Sequence, residues 1–237
     1  MKKRNVRFLV VLASIIIGGL LLGGYLRRSQ SEIAGGGKSV RLPLPRHRGE
    51  VSLEEAIFKR RSIRSYRDEP LTLEEVSQLL WSAGGKTIDG ITGATRAYPS
   101  AGGIYPLEIY LVAGSVKGLT KGIYRYRWQD HTIILVKEGD FRKQLMWAAL
   151  GQRMIANAPV SLVFTAVYSR TTRRYGKRGK TRYVPMDMGG AGQNVHLQAE
   201  ALGLGTVIIG AFRDGAVKEI LGVEKEEPLY IMPVGKP

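Results

Sequence analysis

The chain of 237 residues contains no cysteine. Disulfides, thiolate metal sites and a cysteine nucleophile are therefore excluded. Only three histidines occur, His47, His131 and His196, and none stands in an HExxH-type spacing. No metal site is expected. Acids are also scarce: 20 Asp and Glu stand against 36 Lys and Arg, for a net charge of +16. Three familiar signatures are missing. GGKT at 84–87 has Leu80 where a P-loop needs glycine, and it follows a helical pattern instead of a strand. GLGTVIIG at 203–210 runs helix, glycine, strand, the reverse of a dinucleotide-binding turn. No GxSxG nucleophile elbow occurs.

What is present begins with charge and an apolar run. Residues 1–50 hold ten Lys and Arg against two Glu, and the rest of the chain 26 against 18, so each part carries +8. The excess suits anionic ligands, an anionic lipid surface or a solvated basic face. No nucleic-acid partner is expected. Phe8 to Leu26 is 19 residues without a charge, enough for one transmembrane helix. It reads as an uncleaved anchor within residues 1–28, with a cleaved signal as the alternative. Lys2, Lys3, Arg4 and Arg7 precede the span. The positive-inside bias then places the main domain outside the cytoplasm. Residues 29–50 read as a linker, with Gly35–Gly37 flexible and the Pro43/Pro45 segment extended.

Residues 51–237 read as one α+β domain. Ser52-x-x-Glu55 and Thr72-x-x-Glu75 are capping boxes, the first opening a helix to about Arg60 and the second one that stops near Gly84. Leu107–Ala113 reads as a strand, and Gly122–Trp128 with Thr132–Val136 as a hairpin. Asp140 caps a helix to about Leu150. Val160–Val167 is a mostly apolar run and reads as a central strand. A long helix over Met186–Leu202 ends at Gly203. A strand over Gly205–Phe212, a short helix over about Ala216–Leu221 and a strand over Leu229–Val234 complete the chain.

KRRSIRSYR at 59–67 places Arg60, Arg61, Ser62 and Arg64 at the end of the first helix. Cations favour a helix C-terminus, and guanidinium forks with a serine hydroxyl also suit a phosphate. Taken alone, these residues leave both readings open. The stretch 97–106, AYPSAGGIYP, reads alone as a turn.

Together, the Arg60-Arg61-Ser62-x-Arg64 cluster, PSAGGIYP, GQNVHLQAEALGLGTVIIGAF and the closing PVGKP resemble the nitroreductase family of FMN enzymes. They are most similar to its SagB-type dehydrogenase branch. The likeness runs from about Val40 to Pro237. It implies a mixed sheet flanked by helices, and a homodimer with FMN at the interface. It assigns Arg60, Ser62 and Arg64, with Arg61 as a neighbour, to the phosphate, ribityl chain and pyrimidine edge. Pro99, Ser100, Ala101, Gly102 and Gly103 would lie along the flavin, often from the partner subunit. Ile209 or Gly210 would offer a backbone N–H to the flavin N5, and Lys236 would hold phosphate. A donor such as NAD(P)H would supply hydride to an electron-poor acceptor.

Two departures qualify the likeness. The sequence ends where classical members continue with further basic residues, so phosphate binding is expected to lean on Arg60, Arg64 and Lys236. Peptide-azoline dehydrogenases carry a catalytic Lys-Tyr pair, and here the matching residues are Arg174-Tyr175. Tyr175 remains a catalytic candidate, but an arginine stays charged and is no proton acceptor. The alternatives are a dehydrogenase of a peptide azoline or other small molecule with oxygen as acceptor, and a basic membrane-surface module without redox activity. Arg170 to Arg182, with seven Lys and Arg and no acid, reads as a solvated loop or as a dock for an anionic substrate, NAD(P)H phosphates or lipid. His196 reads as structural.

Overall fold

Val160–Ala166 is apolar enough to be covered on both faces, and all seven residues are buried. The computed structural model of the protein describes residues 38–90 and 93–237. The span expected at residues 8–26 lies outside these residues. Among the described residues, no helix is long and apolar enough to cross a membrane.

Nine strands are described: β1 Ser39–Arg41, β2 Lys86–Gly90, β3 Gly93–Arg96, β4 Leu107–Ala113, β5 Gly122–Arg127, β6 Thr132–Glu138, β7 Val160–Ala166, β8 Gly205–Thr206 and β9 Glu227–Gly235. The seven helices are α1 Leu53–Lys59, α2 Leu73–Gly84, α3 Arg142–Ala148, α4 Met154–Asn157, α5 Tyr168–Arg178, α6 Val184–Ala201 and α7 Asp214–Leu221. The main sheet runs β1-β6-β5-β4-β7-β9-β8, and β2 pairs with β3 apart from it. The expected mixed sheet is corrected here. Every neighbouring pair of the main sheet is antiparallel. The short links from β4 to β5 and from β5 to β6 allow only that sense, because a parallel crossover needs a dozen or more residues.

Strand alternation builds two cores. Leu107, Ile109 and Leu111 of β4 face α2 and α6, packing with Leu79, Leu80, Ala191 and Val195. Tyr110 and Val112 face the other way, toward Leu145 of α3, Ile155 of α4 and Val217 and Leu221 of α7. The sheet thus lies between two helical layers, and β7 is buried at every position for that reason, with Ser161 and Thr165 its only polar side chains.

Several local expectations change. Thr72 and Glu75 form the full reciprocal capping box. Ser52 accepts from the Glu55 amide, but the Glu55 carboxylate turns to Lys59 at 2.5 Å instead of reaching back. Residues read as linker contribute β1, which pairs with β6, and Leu42 is buried. The expected strand over Gly205–Phe212 is only two residues long, followed by an isolated bridge between Ile209 and Ile231. The basic stretch read as a loop is α5 followed by a π-turn over Gly179–Tyr183.

Gly84 is the last residue of α2, and its role is close approach. A Cβ there would lie 2.6 Å from the Arg96 guanidinium. Arg96 is buried, donating from Nε to the Gly84 carbonyl at 2.6 Å and from Nη1 to the Leu107 carbonyl at 3.2 Å. Its guanidinium lies 5.1, 5.3 and 5.7 Å from the ring centroids of Tyr98, Trp128 and Tyr105. Arg96→Ala leaves two buried carbonyls unpaired and should cost about 2–4 kcal/mol in urea unfolding. Arg96→Lys keeps the charge, loses the fork, and should recover only part of that.

Candidate active site

The arginine cluster is held by the residues interleaved with it. Lys59 ends α1, and Arg60 caps it with its amide on the Ala56 carbonyl. The chain then runs beside β8. The Ile63 amide donates to the Thr206 carbonyl at 2.9 Å. Its side chain fills the space beside Gly205, where a Cβ would lie 2.6 Å away. The Tyr66 hydroxyl donates to the Ile63 and Pro233 carbonyls, and the Arg67 amide to the Lys236 carbonyl. With Ile63 and Tyr66 turned inward, Arg61, Ser62 and Arg64 are exposed and Arg60 half-buried. Among the described residues, none of these three guanidiniums is paired with a carboxylate. Uncompensated guanidiniums on a fixed strip suit an anion.

Lys236 joins the same edge, but its ammonium sits 3.0 Å from the Glu69 carboxylate. The expected phosphate contact is therefore already partly neutralised within the chain. Ile209 is corrected more firmly. Its amide donates to the Ile231 carbonyl at 2.9 Å, and its carbonyl accepts from the Ile231 amide. It has no N–H to offer a ligand. Gly210 is exposed, and a Cβ built on it would meet nothing within 4 Å. The candidate donor narrows to the Gly210 amide.

The second group is the loop over 97–106. Its foot is the Ala97 carbonyl, which accepts from Asn194 Nδ2 at 2.6 Å. The Ser100 hydroxyl donates to Asp187 Oδ2 at 2.5 Å and accepts from the Tyr105 amide at 2.9 Å. The Ala101 amide reaches the other Asp187 oxygen at 3.4 Å. Gly102 and Gly103 take φ of 64° and 65° in a single 3-10 turn, both exposed. Only glycine enters that region without steric cost. Asp187 is the residue that sequence reasoning missed, although an acid in the otherwise apolar run MDMGGAG is itself a signal. Burial pushes its carboxyl above the usual range, opposed by the Ser100 hydroxyl and the Ala101 amide. Arg174 and Tyr175 stand over the turn: a Cβ on Gly102 would lie 2.6 Å from the Tyr175 hydroxyl and 2.9 Å from Arg174 Nη1.

The two groups share no hydrogen bond or ion pair among the described residues. A separate cavity of about 510 Å³ lies between residues 46–53, α2 and α6, lined by His47, Trp81, Gln78, Asn194 and Gln198. None of the residues expected from the sequence to form the site lines it.

A family model described as the nitroreductase family matches residues 57–236. The chain belongs to the nitroreductase family. It is 46% identical over 187 residues to a Methanocaldococcus jannaschii protein that carries the nitroreductase name, covering 79% of this chain and 92% of that one. It is 28% identical over 191 residues to the FMN reductase [NAD(P)H] of Bacillus subtilis, covering 76% and 61% respectively. A solved nitroreductase-type structure from Ralstonia eutropha matches with a TM-score of 0.72 at 27% identity, over 86% of this chain and 91% of that one. A chain of the Escherichia coli microcin synthetase complex shares the fold, with a TM-score of 0.64 at 20% identity over 86% of this chain and 77% of its own. Family membership makes this protein an oxidoreductase and sets aside the redox-inactive surface module.

His196 is buried on α6 as a structural residue. Burial and the neighbouring Arg60 charge push its pKa from 6.5 down to about 4. A depressed folded-state value means that the neutral imidazole stabilises the fold above the ordinary value, and that this contribution is lost as pH falls toward 4. His196→Gln should therefore flatten the loss of stability between those two values in acid unfolding. Saturating phosphate, by neutralising Arg60, should move the imidazole titration upward in proton NMR.

Proposed function

We propose that the protein is an FMN-dependent oxidoreductase that moves hydride between a donor such as NAD(P)H and an electron-poor acceptor. The observation that carries this reading is the placing of Arg60, Ser62 and Arg64 on the edge that β8 and the end of β9 share, with unpaired guanidiniums, followed along the chain by the open amide of Gly210. When bound, FMN supplies a ring whose N5 takes up and gives back a hydride. The chain supplies the rest. Arg60 and Arg64 fork onto phosphate oxygens, and the Ser62 hydroxyl donates beside them. Lys236 adds charge shared with Glu69. Gly210 offers an N–H where the reacting edge lies, with no side chain to hold a flat ring away. Pro99–Gly103 presents backbone to the ring face.

That loop comes from the partner subunit of a homodimer in this proposal. Its own-chain neighbours are Asp187, Arg174 and Tyr175, not the arginine strip, and Leu53, Ile57 and Phe58 leave an exposed apolar face on α1. The Tyr175 hydroxyl stands beside the turn and is the group placed to deliver a proton. The apolar span at 8–26 tethers the domain to a membrane, on the extracytoplasmic side by its flanking charges. Azoline dehydrogenation with oxygen as acceptor is the second reading, supported by the shared fold. Arg174 tells against it, because a guanidinium holds its proton.

The full-length protein should purify yellow or take up added FMN, with an absorbance that bleaches on reduction. Colourless protein that FMN cannot reconstitute would sink the proposal. Arg60→Ala with Arg64→Ala should weaken FMN binding at least about 100-fold. Gly210→Ala should change urea stability by less than about 0.5 kcal/mol. The same change should cut flavin reduction about tenfold or more.

A further inference from the structure

Helix α5 and the π-turn after it carry Arg170, Arg173, Arg174, Lys177, Arg178, Lys180 and Arg182 in thirteen residues, with no acid. Among the described residues, only Arg170 is paired with a carboxylate, Glu108 at 2.5 Å. Like charges three and four apart repel on a helix, and before the break at Gly176 the pairs Arg170/Arg173 and Arg170/Arg174 have that spacing. The helix has no side-chain N-cap, and Gly176 breaks it at φ 54°, ψ −143°. A π-turn follows, a rare conformation that is frequent at functional sites. The segment is held instead by burial of Thr171 against Gly179, where a Cβ would lie 3.0 Å from the Thr171 backbone and methyl.

Three of these cations are oriented by aromatic rings. Arg174 lies 5.3 Å from the Tyr175 ring centroid, Arg178 5.9 Å from that of Tyr183, and Lys180 5.0 Å from that of Tyr168. Arg178 Nε also donates to the Tyr183 hydroxyl at 3.1 Å, and the Tyr175 and Tyr183 rings meet edge-on at 4.8 Å. Aromatic faces hold a cation in place without neutralising it. This platform adjoins the exposed turn at Gly102, which touches Arg174 and Tyr175.

We infer that this guanidinium-aromatic platform selects oxyanion-bearing small molecules, carboxylate or phosphate, as the reaction partners of the flavin. The inference rests on the flavin reading of the Pro99–Gly103 loop. An anion bound there relieves the repulsion along α5 and is held with its reducible or oxidisable part toward the turn. Arg173, Lys177 and Arg182 supply uncommitted charge, and Arg178 supplies a positioned fork. The site discriminates by charge and not by shape, so salt should weaken the selection.

The test uses full-length protein loaded with FMN and compares it with Lys177→Gln and with Lys177→Gln/Arg178→Gln. The first variant disturbs no ring contact, and flavin content with far-UV circular dichroism verifies that both fold. Single-turnover reoxidation of dithionite-reduced protein is followed with 4-nitrobenzoate and with its neutral isostere 4-nitrobenzamide. Reduction by NADPH is compared with reduction by NADH. Titration calorimetry with inorganic pyrophosphate on the oxidised protein gives a readout independent of turnover. In the double variant, pyrophosphate affinity and at least one of the two anion-over-reference rate ratios should fall about fivefold or more, and less in the single variant. A fall in the nitrobenzoate ratio assigns the oxyanion to the acceptor, and a fall in the NADPH ratio assigns it to the donor. Unchanged ratios, or parallel losses for charged and neutral partners, would overturn the inference. So would a loss confined to binding of anionic lipid vesicles. Failure to load FMN at all would strike the flavin reading instead, and pyrophosphate calorimetry on the flavin-free variants would still report on the platform.

Discussion

The buried guanidinium of Arg96 is the constraint around which the site half of the molecule is arranged. It joins the end of α2 to the start of β4 through the Gly84 and Leu107 carbonyls. It has no ion-pair partner among the described residues, so its charge is balanced by carbonyl dipoles and three aromatic rings. A charge taken out of water is costly unless its donors are met. That cost makes the arrangement exacting: Gly84 must lack a side chain, and Tyr98, Tyr105 and Trp128 must close around the cation. Burial lowers the pKa of the guanidinium from its ordinary value. The loop that would meet the flavin begins and ends inside this cage, because Tyr98 and Tyr105 flank Pro99–Gly103.

From that anchor the loop is fixed a second time, along α6. Asn194 holds its foot and Asp187 its crest. Three interactions therefore over-determine a turn with two glycines and Tyr105 at positive φ. Such backbone strain persists only where the surroundings impose it. The result is a rigid, side-chain-poor surface, which a flat ring requires and a flexible surface turn would not give. The arginine strip is fixed by a different device, an extended segment clamped beside β8 by Ile63 and Tyr66. Both halves are thus positioned by the side chains between the functional ones.

Local signals in the sequence marked what local physics decides. The cap of α2, the alternation in β4, the hairpin of β5 and β6 and the apolar β7 all follow from neighbours in sequence. The arginine strip and the glycine turn were legible as motifs. What escaped depends on distant partners. The Ile209 amide is consumed by Ile231, Lys236 is met by Glu69, and Asp187 matters only because Ser100 reaches it from 87 positions away. The helix α5 shows no apolar period, so its sequence reads as a loop. Its helicity is imposed by the single buried Thr171 and the close approach of Gly179. β1 reads as linker in the sequence because three residues carry too little pattern to mark an edge strand.

The distribution of charge ties these parts together. A flavin reading accounts for Arg60, Arg64 and Lys236, but not for the cations of α5, which lie on the other half of the site. Proton transfer does not account for its arginines either, since guanidiniums stay charged. A solvated face would tolerate acids among them, and none is present. Two separated groups of cations, most of them unpaired among the described residues, suit the proposed site, which holds one anion permanently and exchanges another. The first group is braced by backbone pairing to β8, as befits a resident phosphate. The second rests on aromatic rings beside a broken helix, where an anion can be gripped and released without disturbing the sheet.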